Sequence, residues 1–577
     1  MKTLTYAVLL VGAALMAGCG ESAPPAPEPT ETVDSMEADS LPELSIADRN
    51  ALATRAGAPL FDGMGDHHHP ITTADPDAQR YFNQGLVIDF GFNHAESARS
   101  FRAAQTLDPE CAMCFWGEAL ALGPNINVTS NGKVVMADDE RRQAYEAIQK
   151  AVALKDKVTE VEQDYIDALA VRYNGDPETA REPLDEAYAN AMRELYKKYP
   201  EDDDAASLFA ESLMNTMPWD YWLDGENPKP ATREVIDALE TVLERNPRHA
   251  MAIHLYIHAV EASDDPARAE GPADVLLTLV PGSGHLVHMP SHIYYRVGRY
   301  GDASRANEMA AAVDEAYIAA CNAQGFYPAA YYPHNIHFLW ASASMEGRSA
   351  VAMEAGEKVA NNVQFEMIEE FPGVEFFKTI PTQTLVQFGE WDDILALEAP
   401  PESLEYSRGI WHYARAVAAA HSGDIAAAKA ERDALVPLKE AADVQHLDTL
   451  LYPATMLLDI ADSLAMGEIA MAEEDYAAAV THFERAVQVQ DDLPYTEPPF
   501  WYYPTRLSLG KALLADGQTT EAEAVYRLNL ENYPRNGWAL FGLMQALEAQ
   551  GKDTADVESR FDVVWSQADV TLTASTF

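Results

Sequence analysis

Histidine is concentrated in one part of this chain. Eight of its 16 histidines lie between residues 249 and 337. His254, His258 and Glu261 are spaced i, i+4 and i+7 in the helical string AMAIHLYIHAVEA, so they share one helix face. Two imidazoles at this spacing can reach one divalent ion, and a carboxylate can serve as a third ligand. The spacing therefore indicates a metal site for Zn, Cu or Fe.

Two further groups of histidines flank prolines. They are His285, His288 and His292 around Pro290, and His334 and His337 after Pro333. Because proline is favoured in the first turn of a helix, we expect these imidazoles near helix starts, which in a solenoid can converge on one wall. Helix N-termini also favour anions. The sequence thus predicts a site for a metal, a carboxylate or phosphate ligand, or both. The alternative is a set of separate structural histidines.

A tract of three histidines, His67–His69, is a weaker candidate. A short tract of this kind can bind metal, but in a loop it is often only exposed to solvent.

Cysteine offers a second candidate site, at Cys111 and Cys114. Residue 115 is Phe rather than the His that c-type haem attachment needs, and no βαβ pattern surrounds the pair as in thioredoxin-like proteins. The leading interpretation is a local disulfide that braces the start of a helix over residues 115–122. Ligation of a metal such as copper, with a neighbouring Met or His, is the alternative. Cys321 is then left unpaired.

Motifs that would identify an enzyme class are absent from the sequence. There is no G-x-S-x-G, Gly-rich phosphate loop, dinucleotide fingerprint or H-E-x-x-H. Whether the chain is an enzyme is therefore left open. No cofactor is specified beyond the candidate divalent ion.

Charge narrows the classes of partner. The 577 residues include 40 Lys and Arg against 92 Asp and Glu, a net charge of −52, and 48% are apolar. This apolar content can build a large core and excludes global disorder. Nucleic-acid binding needs clustered cations, so we expect no nucleic-acid partner. The charge equally disfavours direct adhesion of the folded body to anionic lipid.

The N-terminus has the pattern of an export signal. A positive charge at Lys2 precedes the short apolar run Ala7–Ala17, and the string LMAGC that ends at Cys19 resembles the lipobox of bacterial lipoproteins. The resemblance implies a signal peptide over residues 1–18 and a lipid anchor on Cys19. Residues 19–60, Pro- and Glu-rich at first, are predicted to be a disordered tether. Gly20 is not the Asp that retains lipoproteins at the inner membrane, so we expect the outer membrane, facing the periplasm or the cell surface.

The remaining chain carries a helical repeat. A Gly, a residue two positions later and an Ala five positions later recur as Gly298-Tyr300-Ala303, Gly423-Ile425-Ala428 and Gly517-Thr519-Ala522. The Gly suits a turn between two helices, and the small residue allows close packing. These positions resemble the tetratricopeptide (TPR) consensus, at irregular spacing. We therefore predict an all-α fold, a degenerate TPR-like solenoid, with one helical region over residues 61–400 and C-terminal repeats over residues 401–577.

Longer strings point to a family. HHHPITT, FNHAESARSF, LDPECAMCFWGEALALGPNIN, HMPSHIYYRVGRYGDASRANE and YYPHNIHFLW resemble an uncharacterised family of large bacterial exported TPR lipoproteins. The likeness spans roughly residues 65–550. It implies a fold and a compartment, and it implies no reaction.

Two functional hypotheses follow from the sequence. In the first, the chain is a membrane-tethered scaffold that holds a protein, a peptide or a small ligand in the concave groove of its superhelix. In the second, it is a metalloprotein, with or without enzymatic activity, whose clustered histidines and Glu261 form a buried site. The second requires at least three ligands at about 2.0–2.2 Å from one ion.

Overall fold

Helix-forming patterns run through almost the whole chain, and helices are what the structure contains. The computed structural model describes residues 41–42, 44–128, 136–176, 178–321 and 326–577. Within these ranges the strand-like pairing is a single isolated bridge between Trp222 and Pro228. The predicted all-α fold class is confirmed.

Helices in the first half of the described chain alternate with short connections. They are α1 (Ile46–Ala56), α2 (Pro76–Phe90), α3 (His94–Leu107), α4 (Ala112–Ala121), α5 (Asp138–Leu154), α6 (Glu160–Ala170), α7 (Glu182–Lys198), α8 (Asp203–Met214), α9 (Pro230–Arg245), α10 (Ala250–Val260), α11 (Glu270–Leu279), α12 (Gly284–His288), α13 (Pro290–Arg296), α14 (Tyr300–Cys321) and α15 (Tyr332–Met345). A π-helical turn, Tyr327–Tyr331, leads directly into α15.

Helices in the second half continue the same arrangement. They are α16 (Ser349–Asn362), α17 (Phe365–Glu370), α18 (Ile380–Phe388), α19 (Trp391–Ala396), α20 (Glu405–His421), α21 (Ile425–Leu435), α22 (Ala442–Thr449), α23 (Ala454–Ala472), α24 (Tyr476–Asp491), α25 (Arg506–Ala515), α26 (Thr519–Asn532), α27 (Gly537–Ala549) and α28 (Ala555–Val564). Short 3₁₀ turns are Lys155–Lys157, Pro266–Ala269, Pro372–Thr379 and Val436–Glu440.

Packing follows chain order, as in a solenoid of helix pairs. Each of α3 to α5 packs on the helices before and after it, and α4 also contacts α2 and α6. The same pattern recurs from α23 to α27. Because each pair buries its apolar faces against its neighbours, the core runs continuously along the array.

Turns between paired helices occupy the left-handed backbone region that the repeat motif predicts. Gly423 and Gly517 have φ of 80° and 79°, and α21 and α26 begin two residues after them. In the unit that begins with α24, which has no glycine at this point, Glu474 adopts the same conformation with φ 62°. The turn geometry is therefore a property of the repeat, and it tolerates a residue for which it is strained.

Close helix contacts depend on glycines that face aromatic rings. A Cβ at Gly510 or Gly542 would overlap the Tyr526 ring, and one at Gly117 would overlap the Phe101 ring. Each aromatic side chain lies on the second helix of a pair and fills the space left by the missing Cβ. The missing Cβ therefore allows the paired helices to approach closely.

The structure bears on one end of the predicted segments. The residues described from 44 to 577 belong to one compact unit, and the division into a helical region over residues 61–400 and C-terminal repeats over residues 401–577 stays a prediction. Within the segment predicted to be a disordered tether, residues 46–56 form α1, and its Leu52 and Ala56 are buried near Tyr81. The apolar spacing of these residues on α1 gives that helix a face that packs on α3.

The predicted signal peptide over residues 1–18 and the lipid anchor at Cys19 lie outside the described residues. Among the residues that are described, none of the helices combines the length and the apolar character that crossing a membrane requires.

The glycine contacts give a first prediction. Gly510→Ala should lower the free energy of unfolding by about 1–3 kcal/mol, because the added methyl group overlaps the buried Tyr526 ring. Gly271→Ala is the control, since no atom lies within 4 Å of the Cβ position and the change should be neutral or slightly stabilising. Thermal unfolding followed by circular dichroism compares the two. Equal stability of both variants would contradict this account of the packing.

Candidate metal centre

Six histidines from four helices meet in one cluster. They are His254 and His258 on α10, His285 and His288 on α12, His292 on α13 and His334 on α15. Neighbouring rings in this six-histidine cluster have centroids 4.9 to 5.7 Å apart. Five of the rings are at most 2% exposed, and His334 is half-buried.

The first triad consists of His254, His258 and His285, and one ligand nitrogen of each lies within 4.8 Å of the others. His254 Nδ1 is 2.5 Å from the Phe90 carbonyl oxygen, and His258 Nδ1 is 2.7 Å from Glu261 Oε1. Both oxygens can only accept, so both Nδ1 atoms carry the proton and both Nε2 atoms have a free lone pair. Among the described residues these Nε2 atoms have no hydrogen-bond partner.

His285 completes the first triad without any polar contact of its own ring. Both of its ring nitrogens are buried and lack a hydrogen-bond partner within the described part of the chain. Buried polar atoms are nearly always paired, and an unpaired one costs about 1–3 kcal/mol. Each of the three rings therefore has a buried lone pair without a partner, which indicates a site for an electron-pair acceptor.

The second triad consists of His288, His292 and His334, whose ligand nitrogens also lie within 4.8 Å of one another. His288 Nδ1 donates to Asn307 Oδ1 at 2.6 Å, and the Asn307 amide is oriented by donating to the Ala303 carbonyl at 2.8 Å. His292 Nδ1 donates to Glu261 Oε2 at 2.6 Å. Two Nε2 lone pairs, of His288 and His292, consequently face each other at 3.0 Å. A metal ion or a shared proton between the two Nε2 atoms would remove the repulsion between their lone pairs.

Glu261 joins the two triads. Its carboxylate accepts from His258 with one oxygen and from His292 with the other. The sequence predicted Glu261 as a third ligand, whereas in the structure it orients two histidines through their Nδ1–H groups, a common arrangement behind metal-binding histidines. Burial would raise the pKa of Glu261, but His292 and His258 outweigh it and hold that pKa well below the usual range.

Burial also favours the neutral form of five of the six rings. Desolvation lowers the pKa of His254, His285, His288 and His334 well below the usual value, and neighbouring imidazoles lower it further. The pKa of His258 is lowered by burial as well, although Glu261 opposes the shift. Neutral imidazole is the form that binds metal, so no proton competes for most of these nitrogens.

Two aromatic residues with strained backbones enclose the first triad. Phe92 has φ 56° and its ring lies 4.5 Å from that of His254, while Trp219 has φ 61° and meets the His258 ring edge-on at 5.0 Å. Left-handed backbone is unfavourable for bulky residues and is often found at functional sites. Trp219 is 48% exposed, whereas the His258 ring that it contacts is 2% exposed. Trp219 therefore lies between the first triad and solvent.

Two expectations about the histidines are wrong. His337 does not join the cluster, because its ring lies among Trp340, Phe376 and Phe377, where burial lowers its pKa to about 3. The proline-started helices do not offer open N-termini for an anion. α13 continues from α12 after one residue, and the π-helical turn leads into α15.

His249 belongs to a separate group, the Asp204 knot, formed by Asp204, His67, His69 and His249. Asp204 lies 3.3, 2.7 and 3.1 Å from the three rings. His249 Nδ1 accepts from the Ala252 amide at 3.2 Å, so its Nε2 carries the proton that Asp204 accepts. The Asp204 knot therefore holds the segment around His67 against α8 and α10 through hydrogen bonds. It is a poorer metal site than either triad.

The cysteine pair lies elsewhere. Cys111 and Cys114 form a disulfide at the first turn of α4, and both pack in a small core with α1, apart from the six-histidine cluster. Cys321 is a free thiol, half-buried.

Several contributors to the centre carried no recognisable signal in the sequence. They are the Phe90 carbonyl, Phe92, Asn307, Trp219 and Tyr495, whose hydroxyl lies 3.3 Å from Glu261 Oε2. Each comes from a different element, and ordinary residue types gave no reason to single them out. Asp204 was missed for the same reason.

No known protein family and no curated protein matches the sequence. Among solved structures, human IFIT1 in complex with m7Gppp-AAAA aligns over 92% of this chain and 96% of its own, at 12% identity and a TM-score of 0.30. Yeast Tom70 aligns over 86% and 92%, at 12% identity and a TM-score of 0.26. The P58(IPK) TPR domain aligns over 82% and 98%, at 12% identity and a TM-score of 0.21. At these scores the likenesses carry no functional argument.

The Asp204 knot gives a prediction about stability and pH. Burial opposes charge on His69, but Asp204 outweighs it and raises the pKa of His69, while the three imidazoles hold the pKa of Asp204 well below its usual range. The stabilisation is thus complete below the usual histidine pKa of 6.5 and above the usual aspartate pKa of 3.8. Asp204→Asn should lower the free energy of unfolding by about 2–4 kcal/mol near pH 5.5.

The loss should become smaller as the pH rises through the raised pKa of His69, where the wild type itself loses the charged interaction. Urea unfolding at several pH values measures this. Asp203→Asn is the control, because Asp203 pairs with Arg245 at the surface and should contribute less than about 1 kcal/mol. A loss for Asp204→Asn that does not vary between pH 5.5 and 8 would contradict a charged knot.

Proposed function

We propose that this chain binds transition-metal ions in its six-histidine cluster. One observation carries the proposal. Each of the three buried histidines of the first triad brings a ring nitrogen within 4.8 Å of the others, and each has at least one ring nitrogen without a hydrogen-bond partner among the described residues. Hydrogen bonds to the Phe90 carbonyl and to Glu261 hold the lone pairs of two of them free for an ion.

The donor set selects the class of ion. Imidazole nitrogens suit Zn, Cu, Fe and Ni, whereas Mg and Ca prefer oxygen ligands. Three nitrogens bound at 2.0–2.1 Å lie about 3.5 Å from one another. The nitrogens of each triad are within 4.8 Å, so small ring movements complete the site.

The second hypothesis from the sequence, a metalloprotein, is therefore the better supported one. The first, a scaffold for a protein or peptide ligand, stays a prediction, as does the absence of a nucleic-acid partner. We further propose, on the N-terminal sequence alone, that the protein is exported and anchored by lipid on Cys19, most simply at the outer membrane. No reaction is assigned.

Metal content tests the proposal. The chain, purified without a histidine tag or chelator and analysed by mass spectrometry, should carry near-stoichiometric Zn, Cu or Fe. The double variant His254→Gln/His258→Gln should lose metal from the first triad, because two of its three ligands are removed.

His337→Phe is the matched control for this experiment. It removes another buried histidine and keeps an aromatic ring beside Trp340 and Phe376, so metal content should be unchanged. A metal-free wild type that stays metal-free after incubation with Zn, Cu or Fe would overturn the proposal.

Glu261 gives a second test. Glu261→Gln removes no ligand, but an amide cannot accept from His258 and His292 with both of its ends. Metal affinity, measured by competition with a chromophoric chelator, should fall about 10–100-fold. Glu375→Gln changes another buried carboxyl group, which accepts hydrogen bonds from Ser407 rather than from a histidine, and it should leave the affinity nearly unchanged. Equal affinities for wild type and Glu261→Gln would contradict the orienting role.

A further inference from the structure

Resting on the proposed function, we infer that the six-histidine cluster is a paired site for two copper(I) ions, one in each triad. The two triads share no residue, and each has three nitrogens close enough to surround its own ion. A single ion could use only part of the cluster and would leave the remaining nitrogens buried without a partner.

Glu261 supports the pairing. It sits between the triads and accepts one hydrogen bond from each, through His258 and His292. One carboxylate thereby orients a ligand of both ions. In the second triad, the His288 and His292 Nε2 atoms are 3.0 Å apart, close to the separation of about 3.5 Å that an ion between them requires.

The small amount of negative charge beside the six-histidine cluster favours monovalent over divalent ions. Glu261 is the one carboxylate that hydrogen-bonds the six rings within the described part of the chain, and the Arg296 guanidinium donates to its backbone carbonyl. Glu497 and Asp314 flank the cluster, bonded to Tyr495 and to Tyr327 and Asn335 respectively, and burial raises the pKa of each to about 7. Two divalent ions would bury a charge of +4 against this sparse compensation, whereas two copper(I) ions bury half of it.

The number of ligands in each triad also favours copper(I). Copper(I) is satisfied by three neutral nitrogens, whereas zinc on three histidines takes a fourth ligand, usually water. Phe92 and Trp219 cover the first triad, and its rings are at most 2% exposed. Water at a fourth position therefore has little room.

An anaerobic titration of the full chain tests this inference. Copper(I) is delivered as its complex with bicinchoninate, and transfer to the protein is followed by the loss of the colour of the complex. We expect two equivalents per chain, and we expect Zn²⁺ in equal amount to compete poorly. His254→Gln/His285→Gln and His288→Gln/His334→Gln should each bind one equivalent, and His337→Phe should bind two.

A measurement on the wild type keeps the test independent of whether the variants fold. X-ray absorption at the copper edge of the loaded protein should show a copper(I) edge and about three imidazoles per ion. A single equivalent of copper would overturn the pairing, and preferential binding of Zn²⁺ would overturn the choice of copper(I). A chain that binds no metal at all would overturn the proposed function itself.

Discussion

The structure depends most on the buried imidazoles of the six-histidine cluster. They are removed from water, and several of their ring nitrogens have no hydrogen-bond partner among the described residues. Each ring that donates from Nδ1 to a fixed oxygen leaves an Nε2 lone pair aimed at its neighbours, and at His288 and His292 two such lone pairs meet. Protonation of several rings is opposed because, in the described part of the chain, Glu261 is the one carboxylate that hydrogen-bonds them, and it offers a single negative charge. Unpaired polar groups in such a core are costly, which is why the cluster suits an electron-deficient ligand.

The helical repeat is what brings these rings together. Four helices between residues 250 and 345, α10, α12, α13 and α15, supply the ligands, while the surrounding groups come from distant repeats. Tyr495 reaches Glu261 across 234 residues, and Tyr331, which packs on His285, accepts a hydrogen bond from Asn127 across 204. The centre therefore draws on both ends of the array, and its geometry depends on correct stacking of all the repeats between them.

Sequence reasoning predicted the parts of this protein that are periodic. The i, i+4 spacing of His254 and His258 and the glycine-marked turns were sufficient to predict a shared helix face and an all-α repeat. Convergence of α10 with α12, α13 and α15 could only be suggested, because inter-helix angles depend on packing along the whole array. The prediction for His337 was wrong for this reason. Its spacing of three residues from His334 suggested the same site, but aromatic rings of the 3₁₀ turn Pro372–Thr379 surround it. Tautomers, and hence the orienting role of Glu261, need coordinates.

The position of α1 has a practical meaning for handling the protein. A shortened form designed from composition alone would be cut near residue 60. Here such a cut would remove α1, whose Leu52 and Ala56 fill the small core that also holds the Cys111–Cys114 disulfide. It would also free the start of the segment that the Asp204 knot fastens beside α10. The shortest intact body of this protein therefore begins before Ile46, upstream of every repeat.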